Sequence, residues 1–197
     1  MTPDSETLRV YDAMADQYAT VTADAASDPL LAGFIGALPR GAQVLDLGCG
    51  PGIIAAHMAR AGLSVTATDA SREMVALTGG FSGVTARLAT FDEIAGEDIY
   101  DGIWANFSLL HAARADMPRH LNALHVALKP GGILHIALKS GTGASRDSLG
   151  RLYTYYTAVE LETLLIAAGF TPFSSATGRD TGLSGEMADW IAISAHG

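Results

Sequence analysis

The segment Val44-Leu-Asp-Leu-Gly-Cys-Gly-Pro-Gly52 narrows the possible architectures more than any other part of the chain. A short apolar run ends in three glycines spaced two apart, and a helix-compatible stretch over 53–61 follows. The apolar run has the length and composition of a strand buried on both faces of a parallel sheet. Each glycine lacks a Cβ, so the turn can take positive φ and let a ligand approach the backbone at the carboxyl edge, where open α/β sheets bind their ligands. The same rhythm then repeats: a strand over 64–69, a helix opening at the N-cap candidate Ser71 with Glu73 in its first turn, and strands over 84–89 and 99–106. A helix over 118–128, closed by Lys129-Pro-Gly-Gly132, leads into a strongly apolar strand over 133–138. This alternation predicts an α/β fold, a doubly wound and mostly parallel sheet with helices on both faces.

The flanks follow other rules. Leu8, Tyr11, Ala15 and Tyr18 recur at three- and four-residue spacing, which predicts a helix with one apolar face. With a second helix over 29–38 it forms an N-terminal helical cap over 1–40. Residues 139–157 break the rhythm, being rich in Gly, Ser and Arg before Tyr153-Thr-Tyr-Tyr156, and read as an excursion over the sheet. A helix over 158–168 ends at Gly169, a good C-cap, before strands over 171–176 and 190–195. No internal repeat or interdomain linker is visible, so a single domain over 1–197 is expected.

Composition limits the partners. The net charge of −9 repels phosphate backbones and anionic membrane surfaces, which argues against nucleic acid unless Arg146, Arg151 and Arg179 converge into a local basic patch. Cys49 is the single cysteine, so neither an internal disulfide nor a cysteine cage for a metal is available. The N-terminus lacks a basic region followed by an apolar run, and no stretch approaches the ~18 apolar residues of a membrane span, so a cytoplasmic location without membrane contact is expected. Oligomeric state is not legible.

Asp46 in the first strand, Gly48, Gly50 and Gly52 in the turn, and Asp69 at the end of the second strand point to a nucleoside. Asp69 lies seventeen residues beyond Gly52, about the distance at which an acidic side chain meets ribose hydroxyls. A dinucleotide site favours Gly-x-Gly-x-x-Gly opening onto a pyrophosphate, whereas this turn is Gly-x-Gly-x-Gly with Pro51 inside it. A Gly-x-x-x-x-Gly-Lys-Ser/Thr loop is also lacking, which argues against a nucleoside triphosphatase.

These motifs together resemble the seven-stranded, Rossmann-like methyltransferases that use S-adenosylmethionine, and the resemblance covers nearly the whole chain. Residues 44–52 resemble their glycine-rich cofactor motif, and Ala67-Thr-Asp-Ala-Ser71 with Met74 resembles their ribose-binding segment. Tyr100-Asp-Gly-Ile-Trp-Ala-Asn106 is similar to their fourth strand, and Leu128-Lys-Pro-Gly-Gly132 to the turn before their fifth. Tyr11-Asp-x-x-Ala15-x-x-Tyr18 resembles a helix that covers the cofactor in many small-molecule members. The resemblance implies a seventh strand inserted antiparallel between the fifth and sixth. It also implies roles: Gly48, Cys49, Gly50 and Gly52 along the methionine and ribose, Asp46 orienting the turn and the ammonium group, and Asp69 on both ribose hydroxyls. Ala70, Met74, Phe91 and Asp92 would surround the adenine, with Asn106 and Phe107 beside the sulfonium and Tyr11 and Tyr18 above.

Several residues keep two readings. Tyr11 and Tyr18 are either a lid or the apolar stripe of a packed helix, and Cys49 is a small filler of the turn rather than a nucleophile, since no base stands near it in sequence. His111 either faces the acceptor as a general base or packs its loop, while His135, inside a buried strand, reads as a hydrogen-bonded core residue. Tyr153, Tyr155 and Tyr156 either line the acceptor pocket or anchor the excursion. Arg146, Asp147 and Arg151 either bind an anionic acceptor or lie on a solvated surface. Asn106-Phe-Ser-Leu109 stands where adenine-methylating relatives carry Asn-Pro-Pro-Tyr, which with the negative charge favours a small-molecule acceptor over tRNA or protein. A nicotinamide-dependent oxidoreductase and a non-catalytic S-adenosylmethionine-binding protein are the rival readings.

Overall fold

The computed structural model describes residues 3–22 and 25–197. The cap begins with α1 (Ser5–Ala13), whose N-cap Asp4 accepts a hydrogen bond from the Thr7 amide at 2.9 Å, followed by α2 (Ala15–Val21). The single helix expected from the apolar spacing is thus broken at Met14, which takes φ −115° and ψ 17°. Seven residues span ~10.5 Å along an unbroken helix. The break instead lets the Tyr11 and Tyr18 rings meet edge-on with centroids 5.5 Å apart. Next comes α3 (Pro29–Gly36), started by the Asp28 carboxylate on the Leu30 amide and by Pro29 in its first turn. Positions 1, 2, 23 and 24 of the expected cap lie outside the described residues.

The alternating core runs β1 (Gln43–Leu47), α4 (Ile53–Arg60), β2 (Ser64–Asp69), α5 (Arg72–Thr78), β3 (Val84–Leu88), β4 (Tyr100–Asn106), α6 (Met117–Ala127) and β5 (Leu128–Lys139). Ser71 caps α5 as expected, accepting from the Met74 amide at 3.1 Å. After β5 the chain forms a small antiparallel pair, β6 (Ala144–Arg146) and β7 (Leu152–Thr154), then α7 (Ala158–Ala167), β8 (Thr171–Thr181) and β9 (Met187–His196). A reciprocal capping box between Thr157 and Glu160 starts α7.

The seven-stranded sheet has the order β3-β2-β1-β4-β5-β9-β8. All neighbours are parallel except that β9 lies antiparallel between β5 and β8, the insertion the resemblance implies. One face buries Leu45, Leu47, Ile103, Leu134 and Ile136 with Leu121 and Leu124 of α6 and Leu161 and Leu165 of α7. The other buries Val44, Val65 and Trp104 against Leu31 and Phe34 of α3 and Met58 of α4. Strand residues alternate between faces, so burial on both sides explains why β1 is apolar over Val44, Leu45 and Leu47, with Asp46 buried among them. The last two strands are longer than the expected 171–176 and 190–195: their ladder continues to Thr181 opposite Met187, past the end of β5 at Lys139 opposite Trp190.

Candidate active site

The turn after β1, the end of β2 and the segment after β4 meet at the carboxyl edge of the sheet, as the crossover connections of a doubly wound fold require. Above them α1 closes a cavity of about 290 Å³. Its floor includes Gly48, Gly50, Asp69 and Ala70, with Met74 beside them. Phe91 and Asp92 line one end, Asn106, Phe107 and His111 the other, and Tyr11 and Tyr18 close the roof.

The glycine turn is shaped from beneath. The Gly48 and Cys49 amides both donate to the Thr68 carbonyl, at 2.7 and 2.9 Å, and the Thr78 hydroxyl donates to the Gly50 carbonyl at 2.9 Å. Gly48 has φ +70°, and a Cβ there would collide with Cβ of Ser108. Asp46, Cys49 and Gly52 stand behind the cavity wall, so they support the turn without lining the cavity. Asp46 is buried with Oδ2 unpartnered among the described residues. Burial, then the Asp69 charge, pushes its carboxyl up to about 8 against a hydrogen bond from the Ala55 amide. Cys49 is buried against the Thr78 hydroxyl at 3.6 Å, and burial pushes its thiol up, as befits a filler.

Asp69 is half-buried, with Oδ2 accepting from the Gly50 amide and Oδ1 from the Ser71 amide, each at 2.9 Å. Burial raises its pKa, opposed by the Ser71, Gly50 and Ala70 amides. Each carboxylate oxygen has two lone-pair directions. The Gly50 and Ser71 amides take one direction on each oxygen and the Ala70 amide also draws on the carboxylate, so acceptor capacity is left on it for a ligand hydroxyl.

At the far end, Asp92 is bridged to Arg119 at 2.7 Å, and the Phe91 ring meets His120 edge-on at 5.8 Å. The sequence reading missed His120, which lines the cavity as well. At the near end, Phe107 is a non-glycine residue at φ +53°, held by its amide on the Ala137 carbonyl at 2.9 Å. Left-handed backbone at a bulky residue costs energy and clusters at functional positions. Asn106 Oδ1 lies 3.4 Å from Nε2 of His135, which stacks on Trp104 at 3.8 Å. His135 is therefore a core residue, held neutral by burial, which drives its pKa down to about 3.

His111 lines the cavity with Nε2 2.9 Å from the Tyr11 hydroxyl and Nδ1 2.7 Å from the Leu152 carbonyl. Tyr153 does not line it. The ring of Tyr153 is buried behind His111, with centroids 4.9 Å apart, under Lys139 and Arg151. Arg151 is neither a surface residue nor an anion receptor: it is 2% exposed and its guanidinium donates to Asp147 at 2.9 and 2.6 Å and to the Tyr11 hydroxyl at 3.1 Å. Arg146 serves the roof, binding both oxygens of Asp4 at 3.0 and 2.9 Å.

Residues 22–175 match a methyltransferase domain family. The chain belongs to that family. Among solved structures, the methyltransferase fold is shared by a 1,6-didemethyltoxoflavin-N1-methyltransferase from Burkholderia thailandensis, crystallised with S-adenosylhomocysteine. It is 28% identical with a TM-score of 0.76, covering 100% of this chain and 91% of that one. A Methanosarcina mazei S-adenosylmethionine-dependent methyltransferase shares the fold at 19% identity and a TM-score of 0.72, covering 86% and 97%. A ubiquinone biosynthesis O-methyltransferase from Xanthomonas axonopodis pv. citri is 34% identical over 54% of this chain and 47% of its own length. The chain spans about half the length of the curated relatives it matches. As a class I methyltransferase domain it takes S-adenosylmethionine as donor, and its cavity fits that group. Asp69 offers a carboxylate on the cavity floor, the turn leaves backbone bare, and the buried Ser108 Oγ on the cavity wall has no partner among the described residues. Among the described residues, no helix is long and apolar enough to cross a membrane.

Proposed function

We propose that residues 1–197 act as one domain, in the cytoplasm, transferring a methyl group from S-adenosylmethionine to a small-molecule acceptor by direct in-line displacement. The observation that carries this reading is the Asp69 carboxylate on the floor of a roofed cavity beside a glycine turn. Asp69 holds the ribose, Gly48 and Gly50 border the methionine, and Ala70, Met74 and Phe91 flank the adenine. Asp92 accepts from the adenine amino group while keeping its bridge to Arg119. When bound, S-adenosylmethionine supplies the methyl as an electrophile on a positively charged sulfur. The acidic cavity wall, with Asp4, Asp69, Asp92 and Asp116, suits such a cation. The protein's own task is to align the acceptor and exclude water, which Phe107, Tyr11 and Tyr18 do by closing the near end. No covalent enzyme intermediate is needed.

A small acceptor is supported by the partly roofed cavity and by the activities named for the O-methyltransferases and the N1-methyltransferase above. The test is a thermal-shift titration with S-adenosylhomocysteine and with NADP, followed by methyl transfer from labelled S-adenosylmethionine to 1,6-didemethyltoxoflavin and to catechol. Stabilisation by S-adenosylhomocysteine alone, with labelled product from one acceptor, is expected. Stabilisation by NADP alone would make the chain an oxidoreductase, and tight binding without transfer to a broad panel would make it a sensor.

A further inference from the structure

Of the motif Tyr11-Asp-x-x-Ala15-x-x-Tyr18, the two tyrosines close the roof and Ala15 is buried, whereas Asp12 is exposed and lies outside the cavity. Consecutive helix residues project about 100° apart, so Asp12 meets α5 while its neighbour Tyr11 faces the cavity. There the hydroxyl of Ser71, a residue only 1% exposed, donates to Asp12 Oδ1 at 2.6 Å. Chemistry fixes the direction of that bond. The Met74 amide, 3.1 Å from the same hydroxyl oxygen, can only donate to it, and a carboxylate can only accept, so the Ser71 proton goes to Asp12. The result is a short, charge-assisted bond. Ser71 also gives its amide to Asp69 Oδ1 at 2.9 Å. One serine thus joins a carboxylate of the roof to the carboxylate on the cavity floor.

The other ties of α1 run elsewhere. Arg146 binds Asp4 and Glu6, the Leu152 amide donates to the Thr7 hydroxyl at 2.9 Å, and Arg151 donates to the Tyr11 hydroxyl, all of which hold the helix to the excursion. His111 holds Tyr11 to the segment after β4. Of these contacts, that of Asp12 alone reaches the segment after β2, which carries Asp69. Asp12 also stands two residues before the break at Met14, the corner that turns Tyr18 back onto Tyr11. Beyond the corner Tyr18 covers the glycine turn, where a Cβ on Gly50 would lie 3.2 Å from its ring. Fixing the corner therefore fixes both rings over Gly50 and Asp69.

We propose that Asp12 is a positioning residue for the donor: by tying the α1–α2 corner to Ser71 it keeps Tyr11 and Tyr18 closed over the ribose end of the cavity and slows release of the bound nucleoside. This rests on the methyltransferase reading above. Asp12 does not line the cavity, so it acts through Ser71 and the two rings rather than by touching the ligand. For a ligand leaving past the roof, lifting the corner means breaking the Asp12–Ser71 bond.

The experiment follows S-adenosylhomocysteine on the full chain by calorimetry and by stopped-flow displacement. Its sulfur is neutral, so the charge of Asp12 weighs little and the tie itself is measured. Asp12→Ala should bind about fivefold more weakly, chiefly through faster release, as expected for losing one hydrogen bond to an exposed carboxylate. Asp12→Asn, whose amide oxygen still accepts from Ser71, should stay within about twofold of wild type. In a Ser71→Ala background, which lacks the donating hydroxyl, Asp12→Ala should add no more than about a twofold loss. Asp12→Ala within about twofold of wild type, Asp12→Asn as impaired as Asp12→Ala, or the full loss recurring without the Ser71 hydroxyl would each overturn the proposal. Should Ser71→Ala fail to fold, the two Asp12 variants decide alone, because Asp12 is exposed and its replacement opens no cavity. A wild type that does not bind S-adenosylhomocysteine strikes the methyltransferase reading. A wild type that binds, with variants that depart from these results, strikes the tie alone.

Discussion

Arg151→Met is expected to destabilise the protein by about 3–5 kcal/mol, the cost of leaving a buried charge uncompensated. The Arg151 and Asp147 side chains are 2% and 3% exposed and meet through two hydrogen bonds. Burial raises the Asp147 pKa, but hydrogen bonds from the Arg151 side chain and backbone overcome it and hold the carboxyl below its ordinary value. Without the guanidinium, the carboxylate keeps, among the described residues, the amides of Leu149 and Arg151, at 3.1 and 2.9 Å, both on Oδ1. Adding Asp147→Asn should therefore recover at least about half of the loss, because the amide oxygen still accepts those bonds and no charge stays buried. Urea denaturation of the wild type, the single variant and the double variant checks this. Equal stability of the single and double variants would mean that Arg151 contributes by packing between Tyr11 and Tyr153, over whose rings it lies at 5.3 and 5.2 Å.

Gly52→Ala is the second large effect, with an expected loss of roughly 2–5 kcal/mol, combining left-handed backbone strain with overpacking. Gly52 has φ +81° at the N-cap of α4, and an added Cβ would lie 2.6 and 2.8 Å from the Thr78 side chain and 2.9 Å from its Cα. Thr78 belongs to α5 and is fully buried, so it has nowhere to retreat. Gly131→Ala separates the two components: φ is +75° there, but nothing lies within 4 Å of the new Cβ. Its loss should be only about 1–2 kcal/mol. Thr78 also holds the Gly50 carbonyl, so Gly52→Ala should weaken S-adenosylhomocysteine binding as well, measurable on the fraction that stays folded.

What the sequence revealed and what it hid divide along a physical line. β1, the glycine turn and the Ser71 cap were legible because each is fixed by neighbours within a few residues: an apolar run, missing Cβ atoms, a hydroxyl beside the amides it caps. The break at Met14 was not, since apolar residues at three- and four-residue spacing look the same in one helix or in two meeting at a corner. Arg151 and Asp147 were ambiguous for a similar reason. Charged residues in a Gly- and Ser-rich stretch read as solvated, and only the pairing of β6 with β7 and the descent of Tyr11 bury them. Beyond Ala176 the residues Thr-Gly-Arg-Asp resemble a loop, but they pair with β9 as far as Met187. In the site, most candidates that line the cavity follow the end of a strand, while Tyr11 and Tyr18 reach it from the cap. Asp46 lies within β1, Cys49 and Gly52 lie in the turn behind the cavity wall, and Tyr153 sits behind His111.

In the proposed function Asp69 grips the donor's ribose, and calorimetric titration of S-adenosylhomocysteine into wild type and Asp69→Ala tests that grip directly. The predicted result is a wild type that binds and a folded variant weaker by at least about tenfold, from the loss of charge-assisted hydrogen bonds to the two hydroxyls. Equal affinity in the two proteins would contradict it.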